Sequence, residues 1–191
     1  MRRRHPLPTL WLMTDERQGA ALIAAVRRLP RGAGIVFRHH RVPAARRRAL
    51  FYAIRPIARA RGLTLLLAGP PGLARRWGAD GSHGPGPAGV RSAAVHDRAE
   101  LRVARGADLI FVSPVFATRS HPGAATLGLA GFARLARLAA MPVIALGGMT
   151  ARRARLTKKL GGYGWGAIDG LTPRSRHARD APDQNLKAVP R

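Results

Sequence analysis

The sequence predicts an α/β chain folded as a single-domain (β/α)8 TIM barrel. Apolar runs of strand length recur along the chain and alternate with segments of helical apolar spacing. The runs are continuous rather than alternating, as in strands buried on both faces. Polar or glycine-rich residues follow most of them, where parallel α/β folds carry their sites. At 191 residues the chain is short for this fold, whose lower end is about 200. Short or missing helices after strands four and eight account for the difference. A doubly wound open sheet is the alternative.

Residues 7–14, LPTLWLMT, form the first strand, ending in Thr14-Asp15. An Ala-rich helix over 18–29 stops at Pro30. Strand two is GIVF at 34–37, with Arg38-His39-His40-Arg41 at its end. A long helix over 43–61 starts at Pro43, which suits a first turn, carries an arginine-rich solvated face and closes at Gly62. Strand three is 63–67, followed by Ala68-Gly69-Pro70-Pro71-Gly72 and a short helix over 73–77. Residues 78–83 are a weak fourth strand, and the GPGPAG that follows allows no helix.

Strand five is 90–95, with His96 at its end. Asp97 caps the next helix, with Glu100 placed for a capping box. Strand six is Leu109-Ile110-Phe111-Val112, ended by Ser113-Pro114. A long polar loop leads through Thr118, Arg119, Ser120, His121 and Pro122-Gly123 to a helix over 129–139. Strand seven is 142–146, followed directly by Gly147-Gly148 and a basic helix that Thr150 caps. Strand eight covers 165–171. The domain therefore spans 7–172, between a basic tail at 1–6 and a disordered tail at 173–191 that is polar and pattern-free.

The formal charge of +25 suggests a polyanion partner. Against nucleic acid stands the composition. The only lysines are Lys158, Lys159 and Lys187, so the charge is almost all arginine, accompanied by abundant Ala, Gly and Pro. Aromatics are only 5%, which leaves few surfaces for base stacking. Zero cysteines exclude disulfides and thiolate metal sites. No apolar window reaches about 18 residues, and the charged start is not followed by an export signal. A cytoplasmic protein without a membrane partner is expected, and a homo-oligomer is left open.

If the barrel closes, the strand ends share one mouth. Gly147-Gly148 ahead of a capped helix make a phosphate cradle, because glycine admits close backbone approach and a helix start supplies N–H donors. Arg38 can fork onto a phosphate or diphosphate, and His121 can donate to an anion or act as an acid. His40, His83, His96, Thr118, Ser120 and Gly170 complete the candidate substrate- and phosphate-binding set. The histidines have no ligand spacing and no nearby carboxylates, so no metal site is assigned.

Several of these pieces occur in a recognisable order. They are Thr14-Asp15, Arg38, Gly78-Ala79-Asp80-Gly81-Ser82-His83, His96-Asp97, Ser113-Pro114-Val115-Phe116-Ala117-Thr118, Pro122-Gly123, Leu127-Gly128 and 142–149 with its Gly147-Gly148. Together they resemble the thiamine phosphate synthase/TenI family over about residues 7–171. The resemblance implies a TIM-barrel transferase that joins hydroxymethylpyrimidine diphosphate to a thiazole phosphate and releases diphosphate. It implies Mg²⁺ as cofactor and small phosphorylated substrates as partners. Arg38 would contact diphosphate, the loop from Thr118 to His121 would hold anionic groups, and Gly147-Gly148 would take the thiazole phosphate.

The chain departs from the family pattern where a metal would sit. An Asn-Asp pair expected after strand three is Ala68-Gly69 here, and an aspartate expected after strand four is replaced by Gly84-Pro85-Gly86-Pro87. His40 and His121 stand where lysines are expected, and Ala94 stands for a serine. Ser113-Pro114 lies where the TenI branch carries its histidine. A phosphate-ligand binder with impaired or repurposed catalysis is therefore the alternative function. A basic nucleic-acid-binding protein is the alternative of another class.

Overall fold

The computed structural model describes residues 6–84, 86, 89–120 and 123–173. Eight parallel strands close into a barrel in chain order, with β1 pairing both β2 and β8. They are β1 (Leu10–Met13), β2 (Gly34–Phe37), β3 (Thr64–Ala68), β4 (Gly81–His83), β5 (Val90–Val95), β6 (Leu109–Val112), β7 (Val143–Ala145) and β8 (Gly164–Ala167). Among the described residues six helices lie outside: α1 (Ala21–Arg28), α2 (Ala44–Ala60), α3 (Pro71–Trp77), α4 (Arg98–Val103), α5 (Gly128–Leu138) and α6 (Ala151–Lys159). The closed barrel excludes the open-sheet alternative.

Strand parity separates an inner layer from an outer one. Trp11, Met13, Val36, Leu66, Ala68, Leu109, Phe111 and Ile144 fill the interior, with Trp11 edge-on to Phe111 at 5.5 Å. Trp11 is large enough to demand space from its neighbour. A Cβ on Gly34 would overlap its indole ring, so β2 carries glycine opposite it. The outer apolar residues form two clusters. One joins β1, β2 and β3 to α1, α2 and α3; the other joins β5, β6 and β7 to α4, α5 and α6. The break falls at β4 and β8. Among the described residues, 84–89 carry no helix and β8 is followed only by a 3-10 turn, Asp169–Leu171.

Some boundaries differ from the sequence reading. The helix expected from residue 18 begins at Ala21, because Gly19 takes φ 45° and separates it from a 3-10 turn at Glu16–Gln18. Strand eight stops at Ala167, four residues early. Asp169-Gly170 turns over the β7–α6 loop so closely that a Cβ on Gly170 would lie 2.8 Å from the Met149 carbonyl oxygen. α2 continues through Pro56, which offers no N–H to the ladder. Asp97 does cap α4 by accepting from the Glu100 N–H. Glu100, however, accepts from the His96 N–H rather than from Asp97, so the capping box is only half formed. The tails at 1–5 and 174–191 lie outside the described residues, as does His121.

Candidate active site

The mouth is built at the carboxyl ends of the strands, and its best-ordered side joins β1 to β2. Thr14, fully buried, directs Oγ1 to two partners. It accepts from the Arg38 N–H at 2.9 Å and pairs with His39 Nδ1 at 2.9 Å. Arg38 returns its Nε–H to the Thr14 carbonyl and its Nη2–H to Asp15 Oδ2, both at 2.9 Å. Asp15 Oδ1 accepts from the backbone and Nε of Arg17. Asp15 also caps the 3-10 turn, with Gln18 completing a capping box. Burial acts to raise the Asp15 pKa, but the hydrogen bonds from Arg17 and the charges of Arg17 and Arg38 outweigh it, holding the carboxyl below its ordinary value. Glu16, beside it, accepts from the Arg41 N–H at 2.8 Å.

His39 is buried with φ 46°, rare for a side chain, and stacks on Phe37 at 4.8 Å with rings 3° apart. That conformation turns the chain after β2 and leaves His40 exposed. Partial desolvation, then the charges of Arg47 and Arg38, lower the His40 pKa. Arg47, on the first turns of α2, donates Nε–H to the Arg38 carbonyl and Nη2–H to the Ala68 carbonyl, so it ties the ends of β2 and β3 together. The sequence reading placed it on a solvated face. The missed signal is directional: long side chains near a helix start lean back over the preceding turn, here onto the strand ends.

His83 closes the floor. Its Nδ1 pairs with Ser92 Oγ at 2.9 Å, and its ring meets the edge of Phe111 at 5.4 Å. Burial, reinforced by Arg38 and His40, lowers its pKa to about 4, so it is neutral at physiological pH. Ser92 was not foreseen; its partner lies one strand away, which no local pattern announces. His96 takes another path. Its Nδ1 contacts Glu100 Oε2 at 2.7 Å on the exposed start of α4.

The loop after β6 reaches over the opening. Ser120 Oγ accepts from Arg17 Nη2 at 2.9 Å, and Arg119 donates Nε–H to Asp169 at 3.1 Å. Thr118 Oγ1 accepts from the Ser120 N–H at 3.4 Å. Loops one, six and eight are thus joined. The Ser113-Pro114 peptide is cis, and the chain after it lies directly against the β7 loop. Gly147 (φ 93°) and Gly148 (φ 58°) allow this approach. A Cβ on Gly147 would stand 2.7 Å from Pro114 Cα, and one on Gly148 would overlap the Ala117 carbonyl oxygen. Thr150 caps α6 by accepting from the Arg153 N–H. Among the described residues the Gly147 and Gly148 N–H groups donate to no backbone carbonyl.

A divalent cation does not fit this donor set. A hard cation needs several oxygens. Both Asp15 oxygens are held by arginines, Glu16 holds the Arg41 N–H, and no cluster of three His, Cys, Asp or Glu occurs among the described residues. A shallow cavity of about 290 Å³ lies elsewhere, between the end of α1 and residues 170–173. No helix among the described residues is long and apolar enough to cross a membrane.

Comparison with known proteins agrees with this architecture. A thiamine-phosphate synthase of Roseiflexus castenholzii is 29% identical over 182 residues, covering 85% of this chain and 80% of that one. A candidate second thiamine-phosphate synthase of Aquifex aeolicus is 41% identical over 63 residues, a stretch covering 33% of this chain and only 34% of that protein. The solved thiamine phosphate pyrophosphorylase of Pyrococcus furiosus shares the fold, with a TM-score of 0.72 at 23% identity over 85% of this chain and 86% of that one. The family described as thiamine monophosphate synthase matches residues 10–171, and the chain belongs to that family.

Proposed function

We propose that the protein joins hydroxymethylpyrimidine diphosphate to a thiazole phosphate, a step of thiamine biosynthesis in the cytoplasm. The carrying observation is the Gly147-Gly148 turn, pressed against the β6 loop just before Thr150-capped α6; the turn's N–H groups donate to no backbone carbonyl among the described residues. Such a turn suits the phosphate of the thiazole substrate. Gly170 lies close beside it, against the Met149 carbonyl.

In this reading the bond between the pyrimidine methylene and the diphosphate oxygen breaks first, with its electron pair leaving on diphosphate. The thiazole nitrogen then supplies the pair for the new carbon–nitrogen bond. Arg38, with Arg47 and His40 nearby, meets the leaving anion. His83, neutral and held by Ser92, offers a hydrogen bond to the pyrimidine ring. Thr118 and Ser120 line the loop that covers the substrates, and His121, adjacent in sequence, is assigned the part of anion donor. His96 is given no part, because Glu100 holds it.

A turnover assay with both precursors tests the proposal, with thiamine phosphate and diphosphate expected in equal amounts. No product from either metal-free or Mg²⁺-supplemented enzyme sinks the synthase reading. The commitment of Asp15 to two arginines favours one alternative, a binder of phosphorylated ligands. Saturable thiamine phosphate binding without turnover would select it.

A further inference from the structure

We infer that the mouth takes a diphosphate group without a divalent cation, on guanidinium groups that occupy the places an ion would need. The inference rests on the synthase reading only for the identity of the anion. Its observations are independent of that reading.

The first concerns oxygen donors. Asp15 Oδ1 is held by Arg17 at 2.7 Å and Oδ2 by Arg38 at 2.9 Å. Glu16 accepts from the Arg41 N–H, and Asp169 from Arg119. The loops after β3 and β4, Ala68-Gly69-Pro70 and Gly84 with Gly86, bring no side-chain oxygen. The strand-end carbonyls are spent as well: Thr14 O accepts from Arg38, and both Arg38 O and Ala68 O accept from Arg47. A strongly hydrated dication would have to compete with guanidinium donors to reach Asp15 or the carbonyls of Thr14, Arg38 and Ala68, against their positive charge.

The second concerns what remains available. Arg38 spends Nε and Nη2, and Arg47 spends Nε and Nη2. Neither Nη1 group makes a hydrogen bond among the described residues. These edges are fixed in place by the bonds of their own guanidiniums, so little side-chain entropy is lost when they meet phosphate oxygens. Exposed His40 stands beside both arginines and can add a donor. Guanidinium pairs recognise phosphate oxygens through charge-assisted hydrogen bonds.

Titration calorimetry with inorganic pyrophosphate tests this on the whole chain, once with EDTA and once with excess Mg²⁺. Saturable binding is expected in EDTA, weakened at least about threefold by Mg²⁺, which neutralises the anion that the arginines attract. Arg38→Gln should weaken metal-free binding by about tenfold or more, a lost charge-assisted contact. If that variant does not fold, Arg47→Gln is read in the same way. Pyrophosphate that binds only with Mg²⁺, binds more tightly with it, or binds in neither condition overturns the inference. Turnover together with Mg²⁺-dependent pyrophosphate binding would leave the proposed function standing and remove this inference. Metal-free binding without turnover would do the reverse.

Discussion

Gly148→Ala should damage the protein through two separable effects. Gly148 has φ 58°, where a side chain costs about 1–2 kcal/mol. Its new methyl would also overlap the Ala117 carbonyl oxygen and stand 3.0 Å from Phe116 Cβ. Backbone cannot swing aside as a flexible side chain does, so overpacking adds about 1–3 kcal/mol. The total is about 2–5 kcal/mol. Gly62→Ala supplies the comparison: φ is 61° there, but nothing lies within 4 Å of the added Cβ. It should cost only the conformational part, and the gain from stiffening the unfolded chain is common to both variants. Urea unfolding of the two proteins therefore isolates the contact between the β6 and β7 loops. Losses that agree within about 0.5 kcal/mol would show that the added methyl meets no resistance from the Ala117 carbonyl, and the close-packed picture of the mouth would fail.

Three further outcomes are expected. Thr14→Val leaves the Arg38 N–H and His39 Nδ1 without their shared buried partner, so equilibrium unfolding should show a loss of about 2–5 kcal/mol; Thr14→Ser should recover most of it. His83 has a folded pKa of about 4 against an ordinary 6.5, so below about 6.5 the unfolded chain binds a proton that the folded one refuses. Stability should therefore fall with acid across that window, by about 2 kcal/mol between pH 7 and 5, and His83→Gln should flatten the profile in urea titrations at the two pH values. Binding to random-sequence DNA, measured against salt, should be weak and lost by physiological ionic strength, because scattered solvated arginines attract phosphate mainly through screened charge and few aromatics offer base stacking; tight, salt-resistant DNA binding would return nucleic acid to the leading place.

Much of the barrel was legible because buried parallel strands leave continuous apolar runs. The bounds of β2 and β6 follow those runs residue for residue. The glycine pair after β7 and the Thr150 cap were legible for a related reason: left-handed turns and N-caps restrict residue type locally. What the sequence hid is pairing at long range. Nothing near Arg17 announces Ser120, 103 residues away, and nothing near His83 announces Ser92 across the strand pair. Local rules also missed partners close by in sequence. His96 follows a strand as mouth residues do, yet Glu100 four residues on captures it, because the first helical turn brings that carboxylate back to the strand end.

The charge of +25 invites a single explanation, and the arginines of α2 show why it does not have one. Arg46, Arg47 and Arg48 are consecutive and chemically identical. A helix rotates each by about 100° from the last, so only Arg47 falls over the ends of β2 and β3, while its two neighbours are exposed. The same composition thus yields a positioned donor beside two solvated ones. At β1 the logic inverts. Arg17 and Arg38 are fixed by Asp15, and each takes one of its two carboxylate oxygens. Position relative to the strand ends, rather than the number of arginines, decides which charges act on a ligand. It also ties two departures together. With guanidiniums on both Asp15 oxygens, a cation would have to compete for that anchor after β1, and the loops after β3 and β4 bring no carboxylates to offset the competition.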